Sequence, residues 1–413
     1  MNMNIGLFTD SYPPYINGVS TSVYNLREAL KKLGHTVYIV TVNDSIIKHE
    51  YDDKEKILRI PGIPIGIYDY RLSEIYPVST VKIIKKWKLD VIHSHTEFGV
   101  GIFARILAKK FKIPLVHTYH TLYEDYTHYI THNHFNKLSK KIVKDLTKVY
   151  CVKTAKETIV PTDKIYKLFK EKYMITKNVS VIPSGIDIER FFEENVEQDK
   201  VERIKEKYGI TKDDFTIIFV GRLAQEKNIE FLLNAQQKLI EIGINNIKLL
   251  IVGDGPDKEN YINITRKLNI FDKVIFTGKI EQDKIQYYYQ CADAFVTASN
   301  SETQGLTVIE AMAAGVVPIC INDMAFIDML PKKSLFNNQK EYINRLITFS
   351  ADEELRKEYK AEIRKKAEEY SSNTYAQRVL NVYSGVLNGG KKDNTLKSRE
   401  LINEKKKMVE EFV

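Results

Sequence analysis

Ala294-Phe295-Val296-Thr297 and, one residue on, Ser299-Asn300-Ser301-Glu302-Thr303-Gln304-Gly305-Leu306-Thr307-Val308-Ile309-Glu310-Ala311 read as a short buried strand, a polar loop and the start of a helix. That unit, repeated, builds parallel α/β sheets. Around it lie further strand-like runs at Thr216 to Val220, Lys248 to Val252, Val274 to Phe276 and Val317 to Cys320, with helical stretches between them. An earlier series has the same rhythm: Ile5 to Thr9, Val37 to Val42, Asp90 to His93 and Leu115 to Thr118. Helical patterns separate these runs at Val19 to Leu33, Val78 to Trp87 and Gly101 to Lys110. The alternation predicts two doubly wound, Rossmann-like parallel-sheet domains, and a chain of 413 residues has the length for two cores.

A polar, charged stretch around Glu193 to Lys207 marks the boundary. The expected division is 1–192 for the first domain, 193–371 for the second, 372–390 for a helix returning to the first, and 391–413 for a charged tail. Ligands of open parallel sheets sit beyond the carboxyl ends of the strands, so the loops there are where chemistry is expected.

Composition narrows the classes. With 43% hydrophobic and 28% charged residues the chain reads as globular, and no apolar run approaches the ~20 residues that span a bilayer. The first residues lack the pattern of an export signal, so a cytoplasmic location is expected. Cys151, Cys291 and Cys320 have no metal-ligand spacing and are expected to be buried thiols.

The net charge of +8 belongs to the first half: residues 1–190 hold 29 Lys and Arg against 19 Asp and Glu. Lys82, Lys85, Lys86 and Lys88 surround Trp87, the only tryptophan, and Lys137, Lys140, Lys141 and Lys144 open a second lysine-rich stretch. Each basic side chain near an acidic bilayer contributes about 1 kcal/mol, so these patches suit an anionic membrane surface. Ordinary solvated helix faces are the competing reading. No nucleic-acid partner is expected.

Glu302 and Glu310 have seven residues between them, one in the loop and one on the helix. If Gln304, Gly305, Leu306 and Thr307 form the first helical turn, their free N–H groups and the positive end of the dipole favour phosphate. Glu302 can then accept from sugar hydroxyls and Glu310 from a ribose. In Phe219-Val220-Gly221-Arg222-Leu223-Ala224-Gln225-Glu226-Lys227-Asn228 a strand ends in glycine before Arg222 and Lys227. Two cations there can neutralise a departing diphosphate without a metal. Gly18, after Pro13-Pro14, lets the first loop's backbone approach the same phosphates. Seven of the nine histidines lie between His93 and His134. No cysteine lies near the first pairs, so metal ligation is not expected. His120 is the candidate for contact with donor sugar or acceptor.

On these residues the sequence resembles the retaining glycosyltransferases of GT-B architecture, two Rossmann-like domains facing a central cleft. The resemblance spans nearly the whole chain and rests on Gly18, His120, Pro183-Ser184-Gly185-Ile186-Asp187, Gly221-Arg222 with Lys227, Gly253-Asp254-Gly255-Pro256, and Glu302 with Glu310, in that order. His95-Thr96-Glu97-Phe98, His120 to Tyr129 and Ser301 to Thr307 are similar to bacterial diacylglycerol glucosyltransferases. The resemblance implies a nucleotide-sugar donor, UDP-glucose, a diacylglycerol acceptor at the inner membrane face, and no metal. It assigns Arg222 and Lys227 to the donor diphosphate, Glu302 to the sugar, Glu310 to the ribose and His120 to the reacting region. It also implies retention by front-face attack, the leaving diphosphate taking the acceptor's proton.

The sequence departs from the family after Pro318, where a glycine pair, an acid and an Asn-Gly turn are usual. Here Met324-Ala325-Phe326-Ile327-Asp328-Met329-Leu330 leads quickly to Leu335-Phe336. A polysaccharide or other soluble acceptor, a sugar-nucleotide epimerase, and a non-catalytic sugar-nucleotide binding protein are the alternative readings.

Overall fold

The computed structural model describes residues 2–15, 17–64, 71–121, 145 and 147–389. Two parallel sheets form within it. The first runs, edge to edge, through Val179–Val181, Glu157–Val160, Leu115–Thr118, Val91–Ser94, Asn4–Phe8, Thr36–Val42, Ile57–Ile60 and Glu50–Asp52. Every neighbouring pair is parallel except the last. A small antiparallel ribbon, Gly62–Pro64 with Arg71–Ser73, sits beside it.

The second sheet runs Val274–Gly278, Ile247–Val252, Phe215–Val220, Ala294–Thr297, Val317–Ile321 and Leu335–Phe336, parallel throughout. Central strands are buried on both faces, which is why they read as unbroken apolar runs such as Ile217-Ile218-Phe219 and Leu249-Leu250-Ile251. The two α/β units of a GT-B fold are therefore present.

Among the described residues three α-helices follow the last strand, Gln339–Ala351, Glu353–Ala367 and Ser372–Leu387. The last of them lies in the other half of the molecule. Its Tyr375, Ala376, Val379 and Tyr383 share one core with Ile5, Leu7, Val23, Leu26, Leu30 and Ile39 of the first domain. Spacings of one, three and four residues put these four on one stripe, which explains both the helix and its destination.

The chain passes between the domains twice, and the two passages are bonded together. Ile186 N–H donates to Tyr370 O at 3.0 Å, and Ser372 N–H donates to Ile186 O at 2.7 Å. Gly185 lies in the same crossing, where a Cβ would come within 2.5 Å of Ser371 O and 2.7 Å of Tyr375 Cβ.

Two expectations need correction. Helix Leu306–Ala314 starts one residue after Gly305, which is left-handed at φ 83°, so Gln304 and Gly305 precede the first turn. Trp87 is buried in the first domain and stacked on Tyr38 at 4.6 Å. It is a core residue and cannot serve as a membrane contact. The charged tail lies outside the described residues.

Candidate active site

Adjacent strands of the second sheet set one wall. Gly221 follows Phe215–Val220, and Gly253 follows Ile247–Val252. A Cβ on Gly253, whose φ is +143°, would fall 1.8 Å from Gly221 O, so the two backbones meet only because the side chain is missing. Leu223 N–H then donates to Asp254 O at 3.0 Å and Asp257 N–H to Leu223 O at 3.0 Å, which locks the Arg222 loop to its neighbour. Burial lowers the Arg222 pKa, while the nearby Glu226 and Asp257 carboxylates work the other way. The chain next forms a short turn, Gln225–Lys227, that lifts Lys227 over the sheet end.

Lys227 Nζ meets Glu302 Oε1 at 2.5 Å, with the two side chains 18% and 20% exposed. Burial opposes ionisation of Glu302, but the Lys227 ammonium and the Ser299 hydroxyl outweigh it and hold the carboxyl below its usual range. Ser299 Oγ also donates to Glu226 O at 3.5 Å, and Asn228 Nδ2 to Ala298 O at 3.4 Å, so the loops carrying Arg222–Lys227 and Glu302 are tied together. Below them Gly305 is confined: a Cβ there would lie 2.6 Å from Phe326 Cε1. Helix Leu306–Ala314 begins at this point with no side-chain cap on its N-terminal N–H groups. Glu310 sits a turn deeper, buried, with Tyr289 Oη donating to its Oε2 at 2.8 Å. Burial raises the Glu310 pKa against the pull of the Arg190 charge.

The first domain supplies the other wall. His120 Nε2 lies 3.0 Å from His95 Nδ1, and burial, with the nearby His117, pushes the His120 pKa down to about 3, so the imidazole is neutral at any physiological pH. His93 is held by Tyr383 and Thr118, both at 2.7 Å, and His117 by Glu97 and Ser94 O, both at 3.0 Å. These hydrogen bonds give both imidazoles a structural place in the first domain. Gly18 opens helix Gly18–Lys32, and a Cβ on it would meet only Leu306 Cδ1, at 4.0 Å, across the domain boundary.

The loop carrying Glu302 is gripped from the first domain at Asn300, Glu302, Thr303 and Gln304. Thr303 Oγ1 donates to His120 O at 3.0 Å, and Thr162 Oγ1 donates to Thr303 O at 2.7 Å. Gln304 exchanges two bonds with Ser184, donating from Nε2 to Ser184 O and accepting from Ser184 N–H, both at 2.8 Å. Lys164 Nζ reaches Asp323 at 2.8 and 2.9 Å, Glu302 O at 3.0 Å and Asn300 O at 3.3 Å.

The structure thus brings Gly18 and His120 of the first domain against the segment Glu302 to Leu306, with Lys227 paired to Glu302, while Arg222 shares the Lys227 loop and Thr307 the first turn of the helix. Gln304 serves the domain contact, and Glu310 is engaged at one oxygen by Tyr289. Sequence reading missed Thr162, Lys164, Ser184, Tyr289 and Asp323. Ser184 stood inside a recognised motif. Lys164 stood inside a lysine-rich run, with nothing local to separate it from its solvated neighbours. Asp323 lies in the segment that departs from the family pattern, where it accepts from Ala325 N–H at 2.8 Å as well as from Lys164.

Of the expected membrane-facing lysines, Lys82, Lys85, Lys86 and Lys88 are exposed. Lys137, Lys140, Lys141 and Lys144 lie outside the described residues. Among the described residues no group of three or more His, Cys, Asp or Glu is arranged to hold a metal ion, and no helix is long and apolar enough to cross a membrane.

Residues 16–190 match Glycosyltransferase Family 4, and residues 200–366 match Glycosyl transferases group 1. The chain is 35% identical over 405 residues to an alpha-monoglucosyldiacylglycerol synthase of Acholeplasma laidlawii, covering 94% of this chain and 99% of that one. It is also 35% identical to the alpha-monoglucosyldiacylglycerol synthase of Streptococcus pneumoniae, over 81% of this chain and 74% of the relative. Among solved structures, Anabaena HepE in complex with UDP and glucose superposes with a TM-score of 0.71 at 15% identity, covering 93% of this chain and all of that one. The lipopolysaccharide glycosyltransferase WaaG superposes with a TM-score of 0.68 at 14% identity, covering 92% and 100%. With two sheets of this topology, family models matched over both halves and a relative matched along 99% of its length, the chain belongs to the GT-B glycosyltransferase family that includes the alpha-monoglucosyldiacylglycerol synthases, and it is a glycosyltransferase.

Proposed function

We propose that the enzyme transfers glucose from UDP-glucose to diacylglycerol at a membrane surface, with retention of anomeric configuration. The observation that carries the reading is the Lys227–Glu302 pair, 2.5 Å apart, with Glu302 on a loop that the first domain grips at Thr303 through the His120 carbonyl. A carboxylate kept ionised and partly buried there is a strong acceptor for hexose hydroxyls. Its ammonium partner stands where a diphosphate would arrive, with Arg222 on the adjoining loop.

In this reading the Arg222 guanidinium and the Lys227 ammonium take up the charge that grows on the leaving diphosphate, and the unsubstituted helix tip at Leu306 and Thr307 adds N–H donors. The leaving oxygen accepts the proton of the attacking hydroxyl, and the new bond forms on the face the diphosphate leaves. Glu302 holds the hexose and Glu310 the ribose through the oxygen that Tyr289 does not occupy. Neutral His120 offers a hydrogen bond without a competing charge. The glucosyl and diacylglycerol assignments draw their support from the two relatives named alpha-monoglucosyldiacylglycerol synthase. The UDP assignment draws support from the neighbour solved with UDP and glucose.

The test is incubation with a panel of UDP- and GDP-sugars and diacylglycerol in mixed detergent micelles. Products are identified by mass and the anomeric centre by proton coupling constants. A glucosyl diacylglycerol of α configuration is expected. Absence of a lipid product with every donor, or a β-linked product, overturns the reading.

A further inference from the structure

His95 stands at the cleft end of the first sheet with one ring nitrogen engaged and the other not. Its Nδ1 lies 3.0 Å from His120 Nε2, while its Nε2 is buried and, among the described residues, has no hydrogen-bond partner. A polar atom enclosed without a partner calls for a physical reason.

The placement follows from two neighbouring strands. Val91–Ser94 and Leu115–Thr118 run parallel, with His93 beside Val116 and Ser94 beside His117. Alternate residues share a face, so His93 and His95 project together from one chain segment, and Thr118 and His120 from the next. His93 Nε2 meets Thr118 Oγ1 at 2.7 Å, and His95 meets His120 two residues further along each segment. The rings are also layered, His95 lying 4.0 Å from His93 between centroids and 5.3 Å from His120 at an interplanar angle of 25°. Tyr383 holds the other nitrogen of His93 at 2.7 Å. His95 therefore stands between an anchored ring and His120, the residue whose carbonyl accepts from Thr303 of the second domain.

A single proton lies between the two rings. Burial, and after it the neighbouring histidines, keeps both imidazoles neutral, and a neutral imidazole has one N–H and one bare nitrogen. Two arrangements satisfy the 3.0 Å contact. If His120 Nε2–H donates, the His95 proton must sit on Nε2, as an enclosed N–H with no acceptor, and His120 is left with a bare Nδ1. If His95 Nδ1–H donates, its Nε2 is only a bare lone pair, and His120 must carry its own proton on Nδ1. Orphaned buried N–H groups are rare in folded proteins, which favours the second arrangement. His120 is only half-buried, and Nδ1 is its nitrogen outside the pair.

We propose that His95 is a positioning residue: by donating from Nδ1 it fixes the ring and tautomer of His120, so that His120 presents Nδ1–H to an oxygen of the bound substrate. The inference deepens the proposed role of His120 and rests on it. The substrate oxygen at this point must then accept rather than donate, and the opposite tautomer would turn a lone pair towards it.

The test joins spectroscopy to kinetics on the full chain. With isotopically labelled histidine, long-range proton–nitrogen correlation spectra distinguish the two neutral tautomers, and the His120 signals are those missing from His120→Gln. Wild-type His120 is expected to carry its proton on Nδ1, a result that needs no substitution at His95. His95→Phe keeps a buried ring and removes only the Nδ1 bond, because Nε2 has no partner to lose. His120 should then lose its single tautomer, and kcat in the micelle assay should fall about three- to tenfold, the worth of one neutral hydrogen bond. His95→Asn, whose amide N–H can take the place of Nδ1, should restore tautomer and rate together. In the His120→Gln background His95→Phe should have no further effect on kcat. A wild-type His120 protonated at Nε2, an unchanged tautomer or undiminished kcat in His95→Phe, or a loss that persists in the His120→Gln background overturns the inference. A wild-type enzyme that makes no glycolipid instead overturns the proposed function, and the His120 tautomer is still read from its spectrum.

Discussion

In the proposed mechanism Glu302 and Lys227 carry much of the chemistry, and the two side chains are paired at 2.5 Å. Glu302→Gln keeps the shape and removes the charge, while Lys227→Ala leaves the carboxylate without its counter-ion. Either is expected to lower kcat/KM at least about tenfold, a loss of roughly 1.4 kcal/mol in transition-state stabilisation. An unaltered circular dichroism spectrum should accompany it, and near-normal turnover in either variant would remove these roles. Gly305→Ala tests the floor of the site, because the new methyl would sit 2.6 Å from Phe326 Cε1 at a backbone angle suited to glycine. It should cost about 1–3 kcal/mol in a denaturant titration. The candidate residues at the ends of strands were legible in the sequence because a polar residue after an unbroken apolar run has few other places to go. Lys164 was not legible. Its value comes from Asp323, 159 positions away, and local pattern carries no information about a contact of that separation.

Elements were legible where burial is continuous. Strands such as Ala294–Thr297 and helices such as Leu306–Ala314 follow from apolar runs and their spacing, and the shift at Gly305 reflects a left-handed glycine that propensity does not anticipate. The misreading of Trp87 has a different origin. Thr80, Ile84 and Trp87 follow one another at intervals of four and three, the mark of a helix's buried face, but the flanking lysines drew the tryptophan into the basic patch. The returning helix Ser372–Leu387 offers a test at this scale, since its Tyr383 hydroxyl lies 2.7 Å from the buried His93 Nδ1. Tyr383→Phe keeps the ring and leaves that imidazole nitrogen without this partner, at an expected cost of about 1–3 kcal/mol in thermal or denaturant unfolding. No loss of stability would mean that a water or another group replaces the hydroxyl.

At the level of the whole molecule, the grip of the first domain on the second is testable through Lys164. Lys164→Met and Asp323→Asn should each lower kcat/KM, and the double variant should lose less than the sum, because both remove the same pair. Additive losses would show that the two side chains act independently rather than as a pair. Acid should also weaken the fold. Burial lowers the pKa of His93, His95, His117 and His120, that of His120 to about 3. Their contribution is complete above the ordinary histidine value near 6.5 and is lost as pH falls from there toward 3. Asp10 acts in the opposite sense: burial raises its pKa to about 6, so its contribution is present at low pH and is lost as pH rises through 6. Melting temperature should therefore drop between pH 7 and pH 5, and Asp10→Asn should make the drop steeper. A flat profile would contradict the neutral histidine cluster.

Because Ile186 is bonded to both Tyr370 and Ser372, the two inter-domain passages behave as a single pivot. Sliding one domain along the other, or drawing them straight apart, would tear that pivot, so the permitted movement is a swing about it. Ser184 and Gln304, next to the axle, travel least. Contacts farther from it, such as Lys164 with Asp323, would have to part or close through the longest path in any such swing.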